Sequence, residues 1–216
     1  QENAFDWEAT ATNTAGDLRV ESGSAIVQAV KTRREIIVLT DSSVHSMQFI
    51  GPPFTFGINQ ISTNTTAISP MGAVAVEDAV FWMGKNRFYV YEGRVQPIPC
   101  TVRDHVFNDL NEDAFEKVVA GVNSEFGEVF WFYPSASATE NDKYVVYNYE
   151  QKIWYVGAFG RSAWIDKGIY EYPMASVATL IYNHEKTNDD DGTAMTSFIE
   201  SSPIDIGDGE DFVFFQ

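Results

Sequence analysis

An all-β chain, folded as a β-propeller or part of one from four-stranded antiparallel blades, is what this sequence predicts, and three observations carry the prediction. The first is repetition. VFWMGKNRFYVYEGRVQPI (80–98) and VFWFYPSASATENDKYVVYNYEQKIWYV (129–156) share a Phe-Trp, a turn, a Tyr-Val-(Val)-Tyr and a further short strand, with Phe130 lying 49 positions after Phe81 (130 − 81). A fainter copy, EIIVLTDSSVHSMQFIG (35–51), sets Ile37 44 positions before Phe81 (81 − 37). The second is punctuation: the β-branched and aromatic runs are short, and Gly, Asn, Asp and Ser separate them, as in hairpin-linked strands. The third is composition, 44% apolar and 14% aromatic over 216 residues, which suits a globular core and excludes a disordered polymer. Units of this length that each hold several short strands are the mark of propeller blades.

The elements follow in order. Residues 1–24 read as a loop-rich lead-in with one aromatic anchor, Phe5-Asp6-Trp7. A first blade spans 25–62, with strands at 25–30, 35–40 and 44–50 and polar connectors at 31–34 and 41–43. GPPFTFG (51–57) reads as a rigid extended connection, because two adjacent prolines exclude a central strand. The second blade, 73–100, has strands at 73–76, 79–83, 87–91 and 95–98, and Gly84 and Gly93 sit in hairpins where a positive φ is expected. A helical insert covers 101–117 and reaches toward residue 119. Val102, Val106, Leu110 and Ala114 recur there at spacing four, and Asn108, Asp109, Asn111 and Asp113 predict a break between two short helices. The third blade spans 118–157. The fourth spans 162–200, with strands at 162–165, 172–177, 179–183 and 197–200. Residues 201–216 read as a strand leaving toward a neighbouring domain. A chain that begins at Gln1 and stops within an apolar run is expected to be an excerpt of a longer protein.

Charge narrows function. Fourteen basic against thirty-one acidic residues give a net charge of −17, and the only basic cluster is Lys31, Arg33 and Arg34. A groove that grips nucleic acid neutralises phosphates with clustered Lys and Arg, so sequence-specific DNA binding is not expected. The acidity keeps the chain soluble, and it also suits a surface that DNA passes without sticking. No run approaches the roughly 18 apolar residues that span a bilayer, and the N-terminus lacks the pattern of a signal peptide. No membrane partner is expected. Cys100 is the only cysteine, so neither an intrachain disulfide nor a thiolate zinc site is available. His45, His105 and His184 lie in unlike contexts and read as packed or surface residues.

No motif supplies chemistry. NDDDGTAMTSFI, around Asp189, Asp190 and Asp191, lacks the alternating ligands and closing glutamate of an EF-hand and reads as a solvated loop. IDIGDGED (204–211) reads as an acidic turn. A nucleophile elbow, a phosphate-binding glycine loop, His-Glu-x-x-His, the sialidase box, and the WD40 and kelch marks are all missing. The recurring aromatics Trp82, Trp131, Trp154, Tyr89, Tyr91, Tyr147 and Tyr155 read as packing positions, since a ligand site is seldom copied into each repeat while a stacking face must be. The expectation is therefore no enzyme, no cofactor, and no catalytic or metal-binding residue. Two other classes compete: a carbohydrate-binding or depolymerising propeller contacting a host surface, and a cellular propeller scaffold.

The order of Ser22-Gly23-Ser24, IIVLTDSSVHSMQFIGPPFTFG, VFWMGKNRFYVYEGRVQPIPCTVRDHVFNDLN, EVFWFYPS, NDKYVVYNYEQKIWYVG and RSAWID resembles the tail nozzle proteins of short-tailed bacteriophages, also called tail tubular protein B. The resemblance covers most of residues 5–185. It implies a structural protein of the virion tail, in which several copies form a homo-oligomeric ring around the DNA exit channel. The tail adaptor and other tail proteins would be partners, and double-stranded DNA would pass through the lumen without specific binding. It implies no catalytic residue. On this reading Glu140, Asp142, Asp189, Asp190, Asp191, Asp208 and Asp211 are candidates for the lumen wall, where they would repel phosphate.

Overall fold

Val80, Phe81, Trp82 and Met83 are consecutive and all buried, and so are the five residues from Val129 to Tyr133. A strand points successive side chains to opposite faces, so an unbroken buried run requires a sheet covered on both sides. The computed structural model has that arrangement. It describes residues 5, 7–10, 13–52, 54–190 and 192–194.

β1 (Ile26–Lys31), β2 (Ile36–Thr40), β3 (Ser43–Gly51) and β4 (Thr55–Thr63) form a first antiparallel meander. β5 (Ala73–Val76), β6 (Ala79–Met83), β7 (Phe88–Tyr91) and β8 (Val95–Ile98) form a second. The third consists of β9 (Val119–Asn123), β10 (Glu128–Tyr133), β11 (Lys143–Asn148) and β12 (Ile153–Gly157). The fourth has three strands among the described residues, β13 (Ala163–Ile165), β14 (Met174–Val177) and β15 (Leu180–Asn183). These sheets belong to one compact unit, 1–184. In the other unit, 185–216, the short strands β16 (Asp189–Asp190) and β17 (Thr193–Ala194) pair with each other.

Three apolar layers fill the spaces between successive sheets. Ile37, Leu39 and Val44 of the first sheet meet Val80, Trp82 and Tyr91 of the second. Phe81, Met83 and Phe88 meet Val129, Trp131, Tyr133 and Tyr147 of the third. On the other face of the third sheet, Phe130, Phe132 and Val146 pack with Trp164 of the fourth. Trp82 and Trp131 thus face the preceding sheet, while Ile37, Phe81 and Phe130 face the following one. The spacings of 44 and 49 in the sequence carry over a packing role, residue for residue.

The first strand of each sheet lies against the first strand of the next, β1 on β5, β5 on β9 and β9 on β13. Specific bonds fix these contacts. The Gln28 amide donates to the Ala73 carbonyl at 2.8 Å and accepts from the Ala73 N–H at 2.9 Å. Met71 and Val119 form an isolated parallel bridge, with the Ala120 N–H donating to the Met71 carbonyl at 2.7 Å. The Trp131 indole N–H donates to the Gly72 carbonyl at 3.0 Å, and that of Trp164 to the Val122 carbonyl at 2.7 Å. Gln28→Ala strips both bonds from a half-buried peptide, which costs about 1–3 kcal/mol. Chemical denaturation should show that loss as a lower midpoint at an unchanged slope.

The insert forms α1 (Arg103–Phe107) and a 3₁₀ helix, Glu112–Lys117, with the expected break between them. Asn111 caps the second piece by accepting from the Asp113 N–H at 3.0 Å. Val106 and Leu110 sink into the layer between the second and third sheets, so this segment contributes core.

Several expectations change. Gly51 and residues 55–57 belong to a hairpin and not to a connection. Gly51 pairs with Thr55, and β4 runs beside β3 over nine residues, giving the first sheet its fourth strand. Pro52 has no N–H to donate, which suits a turn between two paired strands. Gly93 has the expected positive φ of +79°, but Gly84 does not. Gly84 is needed for closeness, because a Cβ there would stand 2.7 Å from the Tyr89 ring. Tyr155 is 37% exposed and packs no core, unlike Trp82, Trp131, Tyr91 and Tyr147. Phe5 and Trp7 are almost fully exposed, so they anchor nothing by burial. The strand expected at 197–200 and the segment 201–216 lie outside the described residues.

Candidate functional site: the cleft along the first strands

Because β5, β9 and β13 run side by side, the chain has an open cleft of about 770 Å³ along them. Glu77 enters it at the end of β5, Glu150 follows β11, and Asp166 follows β13. Tyr149 and Trp164 supply its aromatic wall. Tyr149 stacks on Phe81 at 6.0 Å, and the Trp164 ring lies flat over Gly121, where a Cβ would stand 2.6 Å away. Asp166 accepts from the Ser124 N–H at 3.3 Å and from the Lys167 N–H at 2.8 Å, so two backbone donors orient its carboxylate. Among the described residues neither Lys nor Arg lines the cleft. Glu77 is ion-paired with Arg33, so the negative charge of the wall rests mainly on Glu150 and Asp166, which repel polyanions and hold counter-cations diffusely.

A second cleft, about 430 Å³, opens between the first and second sheets and has mixed charge. Arg33 pairs with Glu77 and Arg34 with Asp78, both at 3.4 Å. The arginines of the only basic cluster are therefore engaged by acids of the next sheet. These pairs are exposed and contribute little stability. Glu35 is the hub of this region, accepting from Tyr91 Oη at 2.8 Å, from Gln48 at 3.2 Å and from the Ser46 hydroxyl. Burial acts to raise its pKa, but the hydrogen bonds from Ser46, Gln48 and Tyr91 and the nearby Arg34 outweigh it and hold the carboxyl below its ordinary value.

The same contact has the opposite effect on Tyr91, whose phenol is pushed up to about 12 by burial and by the Glu35 carboxylate. Tyr133 is likewise pushed up to about 12, by burial and by Asp109 and Asp142. A folded pKa above the unfolded one gives stability that is complete below about pH 10 and lost as pH rises through about 12. Melting temperature should therefore fall steeply between those values. Glu35 behaves in the reverse sense: its contribution is complete above the ordinary carboxylate range and is lost as pH falls through the depressed folded value. Glu35→Gln should flatten the acid limb of the pH–stability curve.

The other candidates sit apart from the cleft. Glu140 pairs with Lys117, and Asp142 accepts from the N–H and hydroxyl of Ser135, both at 2.7 Å, which closes the β10–β11 hairpin. Asp189 accepts from the Gly192 N–H at 2.9 Å within the β16–β17 turn, and Asp190 pairs through its backbone with Thr193. Asp191, Asp208 and Asp211 lie outside the described residues. Sequence reasoning therefore picked acids of loops and missed Glu77, Glu150 and Asp166, each placed just past a strand. Their signal was available, in that each follows a predicted strand at its C-terminal end.

Among the described residues no group of His, Cys, Asp and Glu has the geometry of a metal site. His45 Nε2 lies 2.9 Å from Ser43 Oγ and 3.2 Å from Ser22 Oγ, a pairing that elsewhere activates a nucleophile. Here Ser43 is 1% exposed, and the Ser22 hydroxyl is tied to Ser43 at 2.9 Å and to Gln60 at 2.6 Å. The network fastens the loop before β1 to the first sheet. His105 is exposed, and His184 stacks on Phe159 at 5.7 Å and meets Trp164 at a tilt at 4.8 Å. Burial lifts the Cys100 thiol to about 11, so it remains a protonated thiol at neutral pH. No helix among the described residues is long and apolar enough to cross a membrane.

No protein-family model matches the chain, and no curated protein is similar to it in sequence. Among solved structures, the extracellular domain of a one-component system from B. thetaiotaomicron superposes with a TM-score of 0.52 at 8% identity, over 86% of this chain and 24% of that one. The likeness is one of fold, and this chain spans about a quarter of that structure's length. A plant lectin from Cicer arietinum aligns with a TM-score of 0.36 at 9% identity, over 82% of this chain and 93% of that one, which is too low to carry an argument.

Proposed function

We propose that this chain is part of a tail nozzle of a short-tailed bacteriophage, a non-enzymatic component of the virion that surrounds the DNA exit channel as a ring of identical copies beneath the tail adaptor. Its meander sheets are read as propeller blades whose first strands turn toward a common axis. The observation that carries this reading is the use of the recurrent aromatics. Trp82 and Trp131 are fully buried between sheets, so what the chain offers outward is rigid surface for assembly. The motif order of the nozzle family and the acidic wall of Glu77, Glu150 and Asp166 support the same reading.

Purified particles decide it. Antibodies against the loop 135–142 should decorate the tail tip, and the chain should be present in the virion at a fixed ratio to the adaptor. Glu77→Lys, Glu150→Lys and Asp166→Lys together should slow DNA ejection by giving passing phosphates a place to bind. Absence of the protein from particles, or cleavage or specific binding of host polysaccharide by the isolated chain, would replace this reading with the carbohydrate-directed one.

A further inference from the structure

The pairing of β2 with β3 ends at Ile36 opposite Met47, but β3 and β4 stay paired out to Gly51 opposite Thr55. Residues 48–52 and 54–57 therefore project past the first sheet as a two-stranded ribbon. Its tip is apolar. Phe49, Ile50, Phe54 and Phe56 are 68%, 57%, 77% and 41% exposed, and the Phe49 and Phe56 rings meet edge-on at 5.8 Å. Between Asp41 and Glu77 there is no Asp, Glu, Lys or Arg, in a chain of net charge −17. Depletion of charge together with exposed aromatics is the composition of an interface core.

The same chain carries a matching surface at its other end. In the fourth sheet the register sets Ile165 opposite Met174 and Ile181 opposite Ser176, on the face away from Trp164, which packs on the third sheet, and from the buried Ala175. Ile165 and Ile181 are 49% and 74% exposed. We infer that the β3–β4 ribbon of one copy docks, through Phe49 and Phe56, on the outward face of the fourth sheet of a second copy. The contact deepens the ring assembly proposed above, on which its biological setting rests.

Two features favour a second copy over other occupants. The ribbon exposes on the order of 400–500 Å² of apolar surface, about half of what one partner buries in a standard interface. The paired strands beside it supply further contact area. A bilayer is disfavoured, because the acidic remainder of the chain would be held against anionic headgroups. The two patches are different, so the contact is heterologous. Each copy then gives one ribbon and receives another, which builds a ring or an open row where a self-matching patch would stop at a dimer.

The test uses the whole chain in solution, with mass measured by sedimentation over a rising concentration series. The ribbon variant is Phe49→Ser with Phe56→Ser, and the face variant is Ile165→Ser with Ile181→Ser. Ile181→Ser alone, on the sheet-edge strand β15, serves if the double substitution disturbs folding by near-ultraviolet circular dichroism. The wild type should associate beyond the dimer. Each variant alone should need at least about tenfold more protein to associate, a loss of about 1.4 kcal/mol. An equal mixture of the two should form a dimer and stop, since one intact ribbon then meets one intact face. Association of the variants identical to wild type overturns the contact and leaves the ring reading to the particle experiments. Wild type that stays monomeric throughout, or that floats with zwitterionic vesicles through Phe49 and Phe56, also overturns it.

Discussion

Trp131→Ala should lower the free energy of unfolding by about 3–5 kcal/mol, the range for deleting a large buried aromatic. Trp131 is fully buried, its ring lies 4.8 Å from Phe88 and 6.1 Å from Trp154, and its indole N–H holds the Gly72 carbonyl. The substitution therefore opens a cavity between the second and third sheets and strips a hydrogen bond that ties the residue preceding β5 to the third sheet. Domains of this size have total stabilities of roughly 5–15 kcal/mol, so a large part of the margin goes. The transition should also broaden, as the sheets on either side of the defect lose their coupling. A thermal melt followed by tryptophan fluorescence and by far-ultraviolet circular dichroism reads both effects. Phe substitution should recover part of the loss by refilling the cavity, although the bond to Gly72 stays broken.

Gly121→Val should cost about 2–3 kcal/mol by overpacking. Gly121 sits in the middle of β9, and an added Cβ would stand 2.6 Å from two atoms of the Trp164 ring and 2.8 Å from its Cβ. The neighbour is a rigid ring that is itself stacked on Phe130 at 5.1 Å and bonded to the Val122 carbonyl, so it has no free direction to move. β13 must retreat from β9, and the cleft between them widens. Limited proteolysis should show the effect as earlier cutting after 157, with the first two sheets still protected. Trp164→Ala added to Gly121→Val should cost less than the sum of the two changes, because removing the ring removes the clash.

The sheet-forming strands were legible because each repeat has to satisfy the same neighbour. Ile37, Phe81 and Phe130 recur at spacings of 44 and 49 since each faces the following sheet, and the unbroken VFWM and VFWFY runs report burial on both faces. β4 was not legible. Its residues alternate weakly, and the Pro-Pro pair in the sequence forbids a central strand by every local rule, while Pro52 permits the turn that makes β4 possible. Gly84 was read for its torsion and is needed for its lack of a side chain, which only the position of Tyr89 reveals. The cleft escaped for a related reason. Glu77, Glu150 and Asp166 are scattered in sequence and are brought together only by the side-by-side packing of first strands, whereas the conspicuous acids Glu140, Asp142 and Asp189 sit apart from the cleft, on Lys117, Ser135 and Gly192.

The claim beneath all of this is that recurring aromatic rings bind successive sheets to one another, with the interior sheets covered on both faces. Amide hydrogen exchange measured along the whole chain tests it most directly. The account predicts that β6 and β10 exchange slowest, at rates set by global unfolding, that β9 and β11 follow, and that the ribbon at 48–57 exchanges fast. Rapid exchange in β6 and β10, comparable with the ribbon, would mean that those rings face solvent and that the stacked arrangement is wrong.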